Sequence, residues 1–257
     1  MTRILAIETA TENCSVAVIS DDGQGAEVIG SREIVARRVH SRLLMNLVDG
    51  VTDDLDLGPA SIDGVAVGIG PGSYTGLRIG LATAKAIAWS QGIPCLGVMS
   101  LDAMVLGPGQ IATGLAEALV CPTIASKGQQ VYAALYRRQE GALRRLGGPW
   151  LIGASSLITK VSAFSEPILM VGKGSSGLLE GMKERLQGRY LAAPSRDRYP
   201  SAGAVGLIAA ARARGRGYTG RDSLLELPQD WNPFTLKPLY LRKSAAEEKR
   251  QRERTEC

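Results

Sequence analysis

At 257 residues, with 45% hydrophobic and 21% charged side chains, the chain suffices for one large or two small globular units, and its composition excludes a disordered or fibrous protein. With two Phe, three Trp and seven Tyr against 31 Gly, the core has to rest on Ala, Val, Ile and Leu. The formal charge of +5 is compatible with an acidic or nucleic-acid partner, although part of the excess sits in a polar C-terminal stretch. No apolar run is long enough to span a membrane, the opening residues carry no secretory pattern, and Cys14, Cys95, Cys121 and Cys257 form no Cys-x-x-Cys pair. The expectation is a cytoplasmic protein with no membrane partner, no disulfide framework and no metal site.

Arg3–Thr9 reads as a buried strand, Ser15–Ser20 as its hairpin partner, and Gly25–Ser31, after the turn signal Asp21-Asp22-Gly23, as a third strand. Val35, Val39, Leu43 and Leu47 then repeat every four residues, which predicts an apolar helix stripe. After Gly58-Pro59, Gly64–Ile69 predicts a strand, Gly70-Pro71-Gly72 a turn, and Thr75–Ser90 a helix stopped by Gly92 and Pro94. Pro94–Met99 completes the order βββαβαβ. A second pass repeats the plan: strands over Ala118–Ser126, Val131–Arg138 and Ala142–Gly147, a helix over Ser155–Phe164, a strand over Pro167–Val171, and helices over Ser176–Leu186 and Ala202–Arg214. The reading is an α/β chain of two lobes, 1–100 and 101–217, followed by a C-terminal segment with a charged tail over 218–257.

The segment Gly70-Pro71-Gly72-Ser73-Tyr74-Thr75-Gly76-Leu77-Arg78-Ile79-Gly80 is the most informative. It is a strand–turn–helix junction in which the glycines permit unusual backbone angles and Ser73 or Thr75 can cap the helix. Such a helix start can contact an anion or nucleotide, with Gly70 through Gly76 and Arg78 as the candidate loop. It is not a Walker loop, because no Gly-Lys-Ser/Thr follows. Gly76, Gly80, Ala84 and Ala88 then recur every four residues. Two glycines inside a helix cost about 1 kcal/mol each relative to Ala, so a close backbone neighbour is expected, either the chain's own sheet or a helix of another chain.

Ile4–Ala17 and the Gly70–Gly80 segment together resemble the TsaB (YeaZ) family, with supporting similarity at His40-Ser41-Arg42-Leu43-Leu44, at Val131-Tyr132 and at Pro238-Leu239-Tyr240-Leu241-Arg242. The resemblance implies a duplicated ribonuclease-H-like (actin-like, sugar-kinase-like ATPase) fold. It also implies a non-catalytic subunit that pairs with a TsaD-type threonylcarbamoyltransferase and a TsaE-type ATPase to form threonylcarbamoyladenosine beside the anticodon of ANN-decoding tRNAs. By the same resemblance a homodimer forms when the partner is missing, tRNA is met through the complex, and any nucleotide lies at the shared interface. The implied partner-docking residues are Val35, Val39, His40, Leu43 and Leu47 on the first helix and Gly76, Gly80, Ala84 and Ala88 on the second. Where many relatives carry an acidic-then-basic run, this chain has Ala125-Ser126-Lys127-Gly128-Gln129-Gln130.

With His40 as its single histidine, the chain lacks the material for a triad or a His-x-x-x-His metal pair, so no catalytic residue is assigned. In ATPases of the implied fold an acid ends the first strand and a Gly-rich turn follows. Here Glu8, Thr9 and Thr11 mark that place without any glycine, a degenerate nucleotide site. The alternative reading is an ATP-binding phosphotransferase or ATPase using Glu8. Arg212, Arg214, Arg216, Arg221 and the tail are the candidates for direct RNA contact.

Overall fold

The structure, a computed structural model, describes residues 1–37, 39–111, 117–139, 142–175, 177–215 and 231–242. Two five-stranded sheets carry the chain. The first is built from β1 (Thr2–Glu8), β2 (Asn13–Asp21), β3 (Ala26–Val35), β4 (Gly64–Gly70) and β5 (Cys95–Met99), in the order β3-β2-β1-β4-β5. The second is built from β6 (Glu117–Ala125), β7 (Gln130–Gln139), β8 (Ala142–Gly153), β9 (Ile168–Lys173) and β10 (Tyr190–Ala192), in the order β8-β7-β6-β9-β10. In each sheet the first three strands form an antiparallel meander and the last two add in parallel. The expected duplication is therefore present in the topology.

Alternation sets the layers, because successive strand side chains point to opposite faces. Leu5, Ile7, Val16, Val18, Val65 and Val67 pack on one face of the first sheet against α1 (His40–Asp53) and α2 (Tyr74–Gln91). Ile4, Ala6, Ala17, Ile19, Ala66 and Val98 face the other way, against α6 (Ala202–Gly215). In the second sheet Leu119, Cys121, Ala133, Leu135 and Met170 meet α4 (Ala154–Ser162) and α5 (Leu178–Leu186). The opposite face, with Val120, Tyr132, Ala134 and Val171, meets Leu101, Met104 and Val105 of α3 (Ser100–Ile111).

Four expectations change. Val35 belongs to β3 and Val39 is the residue preceding α1, so the proposed Val35/Val39/Leu43/Leu47 stripe is not one helix face. The buried stripe is Leu44, Leu47, Val48 and Val51, and Leu43 is half-buried beside it. The helix α3 and the strand β10 were not anticipated. The two sheets fall on either side of residue 100, but α6, expected within 101–217 as part of the second lobe, packs on the first sheet, as does Trp231. Gly206 is what allows it: a Cβ there would lie 2.2 Å from Cγ1 of Ile19 on β2. Helix α6 and residues 231–242 thus complete the first lobe, with Cys95 donating its N–H to the Trp231 carbonyl and Leu239 donating its N–H to the Ile69 carbonyl.

Between the lobes lies Asp102, in the first turn of α3. It accepts a hydrogen bond from the Tyr136 hydroxyl on β7 (2.5 Å) and one from Arg212 on α6 (3.2 Å), with Arg145 on β8 at 3.5 Å. Burial and the neighbouring Asp102 carboxylate push the Tyr136 hydroxyl well above the usual tyrosine range. One carboxylate therefore ties elements of both lobes to the helix between them.

Candidate functional site

The Gly-Pro-Gly junction forms because α2 has to start against the turn that follows β1. Gly70 has φ +102°, and a Cβ there would crowd Leu77 and the Leu239 carbonyl. A Cβ on Gly72 would lie 2.2 Å from the Ala10 carbonyl oxygen, and one on Gly76 2.1 Å from that of Thr9. On Gly80 it would lie 2.1 Å from Thr9 Oγ1. Contacts of that length require the missing side chains. Thr9 Oγ1 donates to the Gly76 carbonyl (2.9 Å), and the Ser73 N–H donates to the Ala10 carbonyl (2.7 Å). Ser73 caps the helix by accepting from the Gly76 N–H, as expected.

The small-residue stripe therefore faces the chain itself. Gly76, Gly80, Ala84 and Ala88 are buried, the last two in the core of the first lobe. They are removed from the set of partner-contacting residues. Solvent instead meets the opposite side of the helix, where Trp89 is 66% exposed and Ala82 and Ala86 lie open, with Met45 of α1 46% exposed on the same side of the sheet. Their signal was present in the sequence as apolar residues off the core stripe.

Glu8 ends β1 as anticipated, but it is fully buried and bound on both oxygens. Oε1 accepts from the Ala10 N–H (2.6 Å), and Oε2 accepts from the Ser100 hydroxyl (2.8 Å), whose oxygen in turn accepts from the Gly70 N–H (3.2 Å). Burial raises its carboxyl above the ordinary value, against the lowering effect of these hydrogen bonds. Glu8 thus braces the β1 turn to the glycine junction. Thr9 is buried by the same packing. Of the three residues of the degenerate nucleotide site only Thr11 reaches the cleft, and its hydroxyl accepts from the Asn13 N–H.

That cleft, about 1060 Å³, opens between the lobes. Gly72, Ser73, Tyr74, Thr75 and Gly76 of the junction line it, whereas Gly70, Pro71 and Arg78 do not. Tyr74 stacks on Tyr240 with ring centroids 4.8 Å apart, and the Arg78 guanidinium lies 5.5 Å from the Tyr74 ring centre. The junction and the late Pro238–Arg242 segment, distant in sequence, meet in this stack. The opposite wall carries Lys127 and Lys173. Glu12 bridges Arg37 (2.7 Å) and accepts from Tyr199 (3.1 Å), and the Arg37 hydrogen bond holds its carboxyl below the usual range. Of the arginines considered for RNA, Arg212 is paired with Asp102 and Arg214 with Asp21, while Arg216, Arg221 and the tail lie outside the described residues.

Two lobes of one repeated topology around a cleft define an α/β protein of the actin-like, sugar-kinase-like class. A family model described as "TsaD: tRNA N6-adenosine threonylcarbamoyltransferase" matches residues 29–166. The "tRNA threonylcarbamoyladenosine biosynthesis protein TsaB" of Bacillus subtilis is 30% identical over 173 residues, 67% of this chain and 72% of that protein. The Escherichia coli protein of the same name is 33% identical over 141 residues, 55% of this chain and 58% of that protein. A crystal structure of a Pseudomonas aeruginosa protein described as similar to peptidase YeaZ superposes with a TM-score of 0.70 at 26% identity, covering 94% of this chain and all of that one. The chain belongs to the TsaB (YeaZ) family.

Proposed function

We propose that this chain is the non-catalytic subunit of a complex that forms threonylcarbamoyladenosine in tRNA. It pairs with a TsaD-type catalytic subunit and works with a TsaE-type ATPase on ANN-decoding tRNAs, which it meets through the complex. In the absence of the partner, a second copy of the chain occupies the same face. Any nucleotide of that assembly lies at the interface with the partner.

The observation that carries this reading is the outer face of α1 and α2. Trp89 and Met45 stand exposed there beside Ala82 and Ala86, on helices whose other sides are fully used by the core. An exposed tryptophan on the same helix face as two small exposed residues, Ala82 and Ala86, fits a docking anchor, since such residues dominate interface energetics. The phosphotransferase alternative is disfavoured by Glu8. Its oxygens are both engaged within the fold, and the residue lines no part of the cleft.

Reconstitution tests the proposal. tRNA, threonylcarbamoyl-AMP, ATP and the TsaD- and TsaE-type proteins should give modified adenosine only when this chain is added, and Glu8→Gln should support the reaction as well as the native chain. Full modification in the mixture lacking the chain, or loss of activity in a folded Glu8→Gln protein, would overturn it.

A further inference from the structure

We propose that the open edge of the first sheet, at β3, binds an extended segment of another protein, which adds to the sheet as an antiparallel strand. β3 ends the order β3-β2-β1-β4-β5 and is 10 residues long. β2 takes one side of its backbone, and the other side makes no hydrogen bond among the described residues. Such an edge is a template for pairing with another chain, and proteins ordinarily blunt it with charge or proline. Here the blunting is weak. β3 holds no proline or lysine, and two of its three charges are drawn into the fold. Arg32 donates to both oxygens of Asp54 (2.9 and 2.7 Å), and Glu33 accepts from Asn13 Nδ2 (3.2 Å). Val28, Ile34 and Val35 are left 41%, 37% and 55% exposed. The pairing with β2 is irregular only where Ile29 is passed over, so residues 30–35 form a regular, exposed run.

A second observation falls on the same edge. A cavity of about 430 Å³, separate from the cleft between the lobes, is lined by Val28, Ser31 and Glu33 of β3, with Met104 and Leu106 of α3 and Leu207 of α6. Val28 and Ser31 pair with Ile19 and Ala17, so they stand on the α6 face of the sheet. A strand laid along β3 sends every second side chain to that face, where the apolar lining suits small aliphatic groups. The two features select one kind of occupant. A helix satisfies its own N–H and C=O groups, whereas an extended chain needs partners for them, and this edge supplies those partners. The free charge adds a direction. Glu27 is exposed and forms no ion pair among the described residues, so a basic residue at the C-terminal end of an antiparallel segment meets it. The occupant is thus an extended protein segment with aliphatic residues at alternate positions and a terminal lysine or arginine. The inference does not rest on the pairing proposal.

The test is titration of the fluorescently labelled heptapeptide Val-Thr-Val-Thr-Val-Thr-Lys with the full chain, read by anisotropy. Binding should be saturable. Two further peptides carry N-methyl groups on the three valine or on the three threonine nitrogens. Alternate residues of a strand turn their N–H groups to the same neighbour, so one methylated peptide should bind like the parent and the other about tenfold or more weakly. Val28→Lys, at an exposed position, should weaken the parent peptide about tenfold or more. Exchanging the peptide's lysine for glutamate should weaken binding about threefold or more, and Glu27→Lys should reverse that preference. Arg144→Glu, on β8 of the second sheet, should change nothing. Thermal melts identify any variant that fails to fold, and the methylated peptides keep the test decisive on the native chain. No saturable binding, equal behaviour of the two methylated peptides, unchanged binding in folded Val28→Lys, or no charge preference at Glu27 would overturn the inference. Self-association of the free chain that Val28→Lys abolishes would give the edge to a second copy and overturn it as well.

Discussion

Gly80→Ala separates packing from helix propensity. In an exposed helix the change stabilises by about 1 kcal/mol. Here the new Cβ would lie 2.1 Å from Thr9 Oγ1 and 3.2 Å from Thr9 Cβ. Thr9 is fully buried, so its hydroxyl can leave only by rotating away from the Gly76 carbonyl and abandoning a 2.9 Å hydrogen bond. Overpacking costs about 1–3 kcal/mol and an orphaned buried hydroxyl about 1–3 kcal/mol. Less the propensity gain, the net loss is about 1–5 kcal/mol, centred near 3 kcal/mol, or roughly 6–12 °C in melting temperature. Urea unfolding followed by far-ultraviolet circular dichroism measures it. Thr9→Ala combined with Gly80→Ala should recover about 1–2 kcal/mol relative to the sum of the single changes, since it removes the obstructing hydroxyl. A Gly80→Ala protein as stable as the native one, or strict additivity of the two changes, would refute the packing assigned to α2.

Gly72→Ala should be worse, because its Cβ would meet the Ala10 backbone carbonyl at 2.2 Å and a backbone cannot rotate out of the way; a loss of about 3 kcal/mol or more is expected, and a native melting temperature would contradict it. Glu8→Gln should change stability in a pH-dependent manner. The folded carboxyl is raised above about 4.5, so its stabilising contribution is complete below the unfolded value and is lost as pH rises through the folded value. The variant, which cannot ionise, should gain on the native protein as pH rises above the ordinary glutamate value of about 4.5, and a difference that stays constant as pH rises would count against the buried carboxyl. Asp102→Ala should cost about 2–3 kcal/mol, mostly from leaving the buried Tyr136 hydroxyl without its charged acceptor. The partly exposed Arg145 and Arg212 pairs add little, so Arg145→Ala should fall within about 1 kcal/mol of native.

Strand alternation made the sheets legible in the sequence. Ile4/Ala6 against Leu5/Ile7 and Val120 against Leu119/Cys121 are simple period-two patterns, and each landed on the sheet face such a period implies. The first helix was misplaced because Val35 and Val39 extend a period of four into an exposed edge strand. There, β-branched residues such as Val28, Ile34 and Val35 favour extended backbone, and the true stripe begins at Leu44. The sequence Gly107-Pro108-Gly109 hid α3, although Leu101, Met104 and Val105 already carry helical spacing. The glycines at 76 and 80 announced a close neighbour, but nothing local says that the neighbour is Thr9 rather than another chain. The same limit applies to α6. Its helicity is written in Ala202–Gly215, whereas its place on the first sheet depends on a long-range fit between Gly206 and Ile19. The cleft was legible only in part, since its lysines and His40 come from separate segments that tertiary structure brings together.

The most direct test of the docking claim is the dissociation constant between this chain and a TsaD-type catalytic subunit, measured for the native protein and for Trp89→Glu. Replacement of an exposed side chain should leave the melting temperature within about 2 °C. Loss of an anchor worth about 2 kcal/mol or more should weaken binding about 30-fold or beyond. An unchanged dissociation constant in the folded variant would place the partner elsewhere on the molecule.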